Sequence, residues 1–284
     1  MGLLDGLGLS GLKKLEKINI YEEPEKGKAK ETVKAAPVIK ETDFLFDKSY
    51  DCPVCDNKIK SRTLRAGKAR LIRSDMDLRP VYENIEPLKY DPVVCPKCGY
   101  SALARYFPTI LSSQIKEVRE NICQSFQGNM QEQETYSYED ALYRYKLCLA
   151  NAVVKKSKAS EKAYICLKAG WLLRSWQESL KASEEETDPK KLEDLKGQEQ
   201  EFLKSAMDGF FAAREAEGYP MCGMDETTVD YLSAVLAMDY GQLEIASKII
   251  SSIIMSPSAN ARMKDRARDV KEMILAKINL AKKS

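Results

Sequence analysis

The sequence predicts a mainly α-helical protein that opens with a small β unit built around four cysteines. Three observations carry that prediction. Two Cys-x-x-C pairs, Cys52-Pro-Val-Cys55 and Cys95-Pro-Lys-Cys98, stand in the first hundred residues of the chain. Hydrophobic periodicity changes from two to 3.6 beyond Tyr100. The helical part repeats a small–large–small spacing three times.

Composition sets the frame. The 284 residues are 44% hydrophobic and 31% charged with a net charge of +2, which is a globular balance with no global field toward nucleic acid or membrane. There is no histidine. That removes the commonest general base, His-activated nucleophiles and every His-containing zinc shell. The start, MGLLDGLGLSGLKKLEKINI, lacks a basic n-region and its apolar run is broken by glycines, so it reads as a poor signal peptide. No apolar stretch is long enough to span a membrane. The expectation is a cytoplasmic protein in a reducing environment, where paired cysteines favour metal over disulfide.

Residues 1–42 read as a lead-in. Leu4, Leu7, Leu15 and Ile18 have roughly helical spacing, with Lys13, Lys14 and Lys17 interspersed. An amphipathic helix docking on its own protein is the preferred reading, with peripheral membrane contact or a partner as the alternatives. The stretch from Tyr21 to about Thr42, rich in Glu, Lys, Pro and Ala, reads as a linker.

Residues 43–108 read as an elaborated zinc ribbon. Asp43 to Tyr50 leads as a strand into the first pair. A Cys-x-x-C turn presents two thiolates on one side of a tetrahedral shell, and the second pair closes it: Cys52, Cys55, Cys95 and Cys98 are the predicted ligands of one structural zinc. Thirty-nine residues (56–94) separate the pairs, more than the roughly 15–20 of a compact ribbon. Loop closure costs only about 0.6 kcal/mol per doubling, against about 10 kcal/mol or more from a structural zinc, so the excess implies an extended hairpin or insertion. That insertion is basic: Lys58, Lys60, Arg62, Arg65, Lys68, Arg70 and Arg73 come with no acid between Asn57 and Ser74. It is a candidate phosphate or nucleic-acid face, although no aromatic residue interleaves to stack bases. The bland alternative is a solvated strand face. Asp75 and Asp77, placed on one strand face, are a candidate hard-cation pair, with ion pairing to the neighbouring basic run preferred.

Residues 109–284 read as helices. Leu111, Ile115, Val118, Ile122 and Phe126 suggest one buried stripe. A second helix carries Ala141, Leu142, Tyr145, Cys148, Leu149 and Ala152. Ser160 is read as the cap of a third, with Tyr164, Leu167, Trp171 and Leu180 inward. Asp188-Pro189 starts a fourth through Phe210 and Ala213. After a loop at 218–225 come a helix from Glu226, a break at Gly241, a helix over 243–255 and a final helix starting at Ser256-Pro257. Ala141/Tyr145/Cys148, Ala206/Phe210/Ala213 and Ala246/Ile250/Ile253 share one spacing. It is that of the second helix in tetratricopeptide-like hairpins, where the small residue admits a close neighbour. Ala234 stands at the small position of a first helix and Gly241 at the turn. An ordinary helical bundle is the alternative.

Taken along its length, the chain resembles the uncharacterised bacterial zinc-ribbon and tetratricopeptide-like proteins catalogued as domain of unknown function 2225. The resemblance is carried by the glycine- and leucine-rich start, Cys52-Pro-Val-Cys55, Ser74-Asp-x-Asp77, and Pro87-Leu-Lys-Tyr-Asp91 running into Val94-Cys-Pro-Lys-Cys-Gly-Tyr100. It continues in Trp171-Leu-Leu-Arg174, Gly223-Met-Asp-Glu226 and Ala267-Arg-Asp269. Pro92 departs from the pattern and predicts a kinked or edge strand. The family has no assigned activity, so the resemblance implies architecture.

The preferred function is a non-enzymatic scaffold, with zinc clamping the ribbon against the helical array and the array meeting a protein or peptide. Tyr138, Tyr143, Tyr145, Trp171 and Trp176 are groove or core aromatics, core being preferred for most. A nucleic-acid-associated regulator acting through 58–73 is the alternative. A metalloenzyme would need a second metal, at Asp75 and Asp77, and no βαβ pattern supports thiol-redox chemistry. Cys123, Cys148 and Cys166 are expected on helices as small apolar residues, and Cys222 in a loop.

Overall fold

The computed structural model describes residues 39–281 apart from 129, 131–132 and 184–187. The described residues belong to one compact unit. The proposed lead-in helix over 1–20 and most of the linker lie outside the described residues.

Each Cys-x-x-C is the turn of a β-hairpin. A 3₁₀ turn (Glu41–Phe44) leads into β1 (Leu45–Asp51), which pairs antiparallel with β2 (Lys58–Leu64), bringing Tyr50 opposite Ile59 beside the first cysteine pair. β5 (Pro92–Val94) pairs with β6 (Ser101–Leu103) around the second. Pro92 opens a strand in a two-stranded sheet, where every strand is an edge and a missing N–H is tolerated. Between them the predicted insertion is a hairpin, β3 (Leu71–Ser74) with β4 (Pro80–Tyr82), followed by a 3₁₀ turn at Pro87–Tyr90. Tyr50, Val54, Ile59, Val93, Tyr100, Ala102, Phe107 and Val118 fill the ribbon's core, so the first helix belongs to it.

Seven α-helices follow among the described residues: α1 (Ser112–Val118), α2 (Tyr138–Val154), α3 (Ala159–Ala182), α4 (Pro189–Ala216), α5 (Glu226–Asp239), α6 (Leu243–Met255) and α7 (Ala261–Ala281). Local signals set several ends. Ser137 accepts from the Asp140 amide at 3.0 Å to cap α2. Asp188 caps α4 ahead of Pro189, and Asp225 accepts from the Thr228 amide at 2.8 Å to cap α5. Gly241, at φ +75°, turns α5 into α6.

Each helix packs on the next in sequence. On α3 and α4 the small residues decide how closely: a Cβ on Gly170 would sit 2.6 Å from Leu203 Cδ2, and one on Gly209 would sit 2.9 Å from that of Ala163. All nine residues of the three repeated triplets, and Ala234, are buried. The repeated spacing therefore marks the inward face of α2, α4 and α6. Tyr145, Trp171 and Trp176 are core, Tyr138 stacks on Trp176 at 5.9 Å, and Tyr143 is exposed.

Four expectations need correction. The stripe from Leu111 to Phe126 is not one helix. α1 gives way to a π-helical turn at Arg119–Cys123, Leu111 is 65% exposed at its start, and only Val118 is fully buried. Ser160 does not cap α3; Lys158 holds that position, and the Ser160 hydroxyl donates to Glu217 at 2.5 Å instead. Ser256-Pro257 does not start α7. Asn260 does, accepting from the Met263 amide at 2.9 Å. Asp75 and Asp77 lie in the turn between β3 and β4, not on a strand.

Candidate metal centre

The two hairpin turns are built alike. In the first, the Cys52 amide donates to Asn57 O and the Asp56 amide to Cys52 O, both at 2.9 Å. In the second, the Cys95 amide donates to Tyr100 O at 2.8 Å and the Gly99 amide to Cys95 O at 2.9 Å. The residue after each second cysteine has positive φ, 59° at Asp56 and 74° at Gly99. At Gly99 that residue must be glycine for a second reason: a Cβ would lie 2.5 Å from Phe126 Cγ.

The turns face each other with all four sulfurs within 4.8 Å of one another. Cys52 and Cys98 Sγ are 3.7 Å apart, and Cys55 and Cys95 Sγ 3.6 Å. Four sulfurs placed tetrahedrally at about 2.3 Å from zinc are about 3.8 Å apart, so the set fits that ion. A disulfide needs about 2.05 Å. Cys52, Cys95 and Cys98 are buried and Cys55 is half-buried.

Electrostatics point the same way. Among the bare thiols, hydrogen bonds from Cys52 and Cys98 pull Cys95 down, Cys95 in turn pushes Cys52 up to about 12, and Cys52, Cys95 and burial drive Cys98 far above the usual range. The set cannot hold four negative charges alone; a divalent cation is what lets all four ionise. A four-sulfur shell is closed, so such an ion holds structure and offers no open position for substrate.

Supporting groups come from the helical part. Arg119, in the π turn, donates through Nε and Nη2 to Val54 O at 3.0 and 2.6 Å, holding the first turn. Asn151 of α2, fully buried, donates to Gly99 O at 3.1 Å and Ser101 Oγ at 2.8 Å, holding the second. Tyr100 donates to Phe107 O at 3.1 Å beneath it. Sequence reasoning missed both Arg119 and Asn151, because nothing local distinguishes a helical Arg or Asn that supports a loop.

Asp75 and Asp77 are committed to arginines. Arg79, only 1% exposed, donates to Asp75 at 2.6 Å, Glu178 at 2.6 Å and Ser175 at 2.8 Å. Arg174 reaches Asp77 at 2.8 Å, Glu199 at 2.8 Å and Asp75 at 3.6 Å, and Trp171 Nε1 donates to Asp77 at 2.9 Å. Burial works to raise the Asp75 carboxyl, but Arg79, with Arg73 and Arg174, carries it below its ordinary value. Arg73 comes from the predicted basic run; Arg79 and Arg174 do not. The cluster ties the β3–β4 hairpin to α3 and α4.

The seven insertion cations do not share one face. Lys58, Lys60 and Arg62 line a cavity beside α2, with Arg62 3.1 Å from Asp47. Arg65 donates to Leu45 O, Arg70 pairs with Glu83, Arg73 with Asp75, and Lys68 is exposed.

The remaining cysteines divide. Cys148 and Cys166 are buried, and burial raises both thiols. Cys123 sits in the π turn, packed against the metal-site core. Cys222 is half-buried, donates to Ser160 O at 3.3 Å, and burial raises its thiol, so it is not an activated thiolate. The loop that holds it docks on the ribbon's exit: Arg105 donates to Cys222 O and lies where a Cβ of Gly223 would be.

A family model described as an uncharacterized protein conserved in bacteria (DUF2225) matches residues 45–274. An uncharacterized protein of Borreliella burgdorferi (strain ATCC 35210 / DSM 4680 / CIP 102532 / B31) is 31% identical over 91 residues, covering 29% of this chain and 32% of the relative. The chain thus matches about a third of that curated relative's length. No solved structure matches. Among the described residues no helix is long and apolar enough to cross a membrane.

Proposed function

We propose that this chain, which belongs to the uncharacterised bacterial family DUF2225, is a non-enzymatic zinc-binding scaffold whose helical array receives an amphipathic segment of a protein partner. The closed thiolate shell supports the first half of that reading, since its chemistry is structural. One observation carries the second half. A groove of about 640 Å³ lies between the end of α4, the loop after it and α6, lined by Phe211, Arg214, Tyr219, Ile245, Lys248 and Ile249. Tyr219 and Ile245 are 37% and 45% exposed. Apolar anchors flanked by charges are what a helix-in-groove contact uses.

A nucleic-acid role through residues 58–73 has weaker support. Arg62, Arg70 and Arg73 face acids, Arg65 holds a backbone carbonyl, and the exposed lysines are split between β2 and the following turn.

Affinity capture from the bacterial host with the wild type and with Ile245→Asp tests the scaffold reading. The expected result is a protein retained by the wild type and lost from a folded Ile245→Asp variant. Identical captures from both, or none from either, would overturn it.

A further inference from the structure

The cavity between β2 and α2 contains a buried arginine that forms no ion pair among the described residues. Arg144 of α2 is 7% exposed. Its Nε is buried without a hydrogen-bond partner, and no ion pair to its guanidinium is formed among the described residues. Its guanidinium lies over the ring of Tyr136, 3.9 Å away, and Asp140, one turn earlier on α2, is the carboxylate that acts on it most. Burial pushes its pKa down, and Tyr136, Asp140 and Cys148 offset that only in part. A buried guanidinium left this way is expensive, and folded proteins keep such groups paired.

The walls supply more of the same sign. Lys58, Lys60, Arg62 and Arg144 line a cavity of about 570 Å³, together with Asn57 and Gln133. Among the described residues two acids, Asp47 and Glu134, border it. Asp47 is engaged by Arg62 at 3.1 Å, which leaves Glu134 against Lys58, Lys60 and Arg144. Lys58 and Lys60 are two apart on β2 and exposed on the same face. The arginine belongs to a helix and the lysines to the ribbon, so the site exists only once the two are packed together.

We infer that this cavity is a binding site for a small phosphorylated ligand, with the Arg144 fork taking the phosphate oxygens and Lys58 and Lys60 balancing the second charge. Planar guanidinium geometry suits a phosphate, and three cations suit a group that carries more than one negative charge. The volume exceeds inorganic phosphate, leaving room for the remainder of a small polar molecule. Recognition of a base by stacking is not provided: Tyr136 has Arg144 on its ring and stacks on Tyr90 at 5.2 Å.

The test uses the zinc-loaded full chain and inorganic pyrophosphate as probe, read by thermal shift and calorimetry at constant ionic strength with chloride as control. The expected result is a saturable rise in Tm at millimolar probe, with affinity reduced about tenfold or more in Arg144→Gln and in the Lys58→Gln/Lys60→Gln double variant. The double variant changes exposed side chains only, so it remains informative if Arg144→Gln folds poorly. A shift that tracks ionic strength alone, or one that is equal in wild type and variants, overturns the site. So does tight binding of a short single-stranded RNA that depends on Lys58 and Lys60 but not on Arg144, which would place the phosphate contact on the open strand face.

Discussion

Replacing Asp77 by alanine should loosen the insertion hairpin from the helices without touching the metal. Asp77 is 3% exposed and accepts from Trp171 Nε1 at 2.9 Å and Arg174 at 2.8 Å. Removing it leaves a buried indole N–H unsatisfied, at about 1–3 kcal/mol. Breaking a buried charge pair outright costs about 3–5 kcal/mol, but Arg174 keeps Glu199 at 2.8 Å and is itself 25% exposed, so only part of that is lost. The two together come to about 3 kcal/mol, or roughly 10 °C in Tm for a unit of this size. Asp77→Asn retains an acceptor for the indole and should cost about half as much. The assay is thermal unfolding by circular dichroism, with zinc content measured on the same samples and Trp emission followed in the folded state. Zinc should stay at one per chain, because Asp77 lies outside the four-sulfur set, and emission should shift to the red. An Asp77→Ala variant within about 0.5 kcal/mol of wild type, the range of an ordinary surface change, would refute the reasoning.

Three further outcomes follow from the same geometry. Freshly reduced protein should carry one zinc per chain by metal analysis, and Cys95→Ser should lose it and unfold the ribbon, seen as new protease sensitivity within residues 45–103. Gly99→Ala should destabilise by about 2–4 kcal/mol, combining a left-handed backbone penalty with a clash against Phe126; adding Phe126→Ala should return only the steric part, as a double-mutant cycle would show. Because the folded pKa of Asp75 lies below its ordinary 3.8, its contribution is complete above about pH 4 and is lost as pH falls through the lower folded value. Urea melts should therefore find Asp75→Asn less stable than wild type at pH 7 and the two converging in strong acid.

What the sequence made legible is what chemistry settles within a few residues. A Cys-x-x-C turn, an Asp before a Pro at a helix start and a Gly at a helix end each determine their own geometry, and all of these fell where expected. The inward triplets were legible because a small residue at a helix crossing is a packing requirement that repeats. Tertiary competition explains the misses. Ser160 and Ser256-Pro257 both look like helix starts, yet Ser160 is taken by Glu217 and α7 is capped by Asn260. The apolar period from Leu111 to Phe126 runs through a π turn, whose extra residue per turn rotates the later positions off the stripe. Asp75 and Asp77 were readable as ion-pairing acids, but their main partners are not all nearby: Arg174 is almost a hundred residues on, and no local pattern names it. Arg144 is harder still. A lone arginine among Tyr143, Tyr145 and Leu142 reads as the polar side of an amphipathic helix, and only packing against the ribbon reveals that it is buried.

These placements refine what a zinc ion at the four cysteines would do. Every sheet in the ribbon has two strands, too few to stand alone in water, so an ion held by the four cysteines would fix the two hairpins on each other. It would not by itself fix them on the helices. That attachment is made by Asn151 on the second turn, by Val118 in the ribbon's core, and by the Asp75–Arg79–Arg174 cluster beneath the insertion. Three segments that carry the family resemblance, 74–77, 171–174 and 267–269, meet at or beside that cluster: Arg266 donates to Asp75 O, and Asp269 borders a cavity with Asp75. An ion at the four cysteines and the charged cluster would therefore do different work. The first would hold the ribbon together, and the second sets its pose. The proposed anion cavity depends on both, since Asn57 and Pro96, one from each cysteine turn, line it together with Arg144 of α2. Loss of zinc should weaken pyrophosphate binding through those two turns, and Asp77→Ala should do so more mildly through the pose.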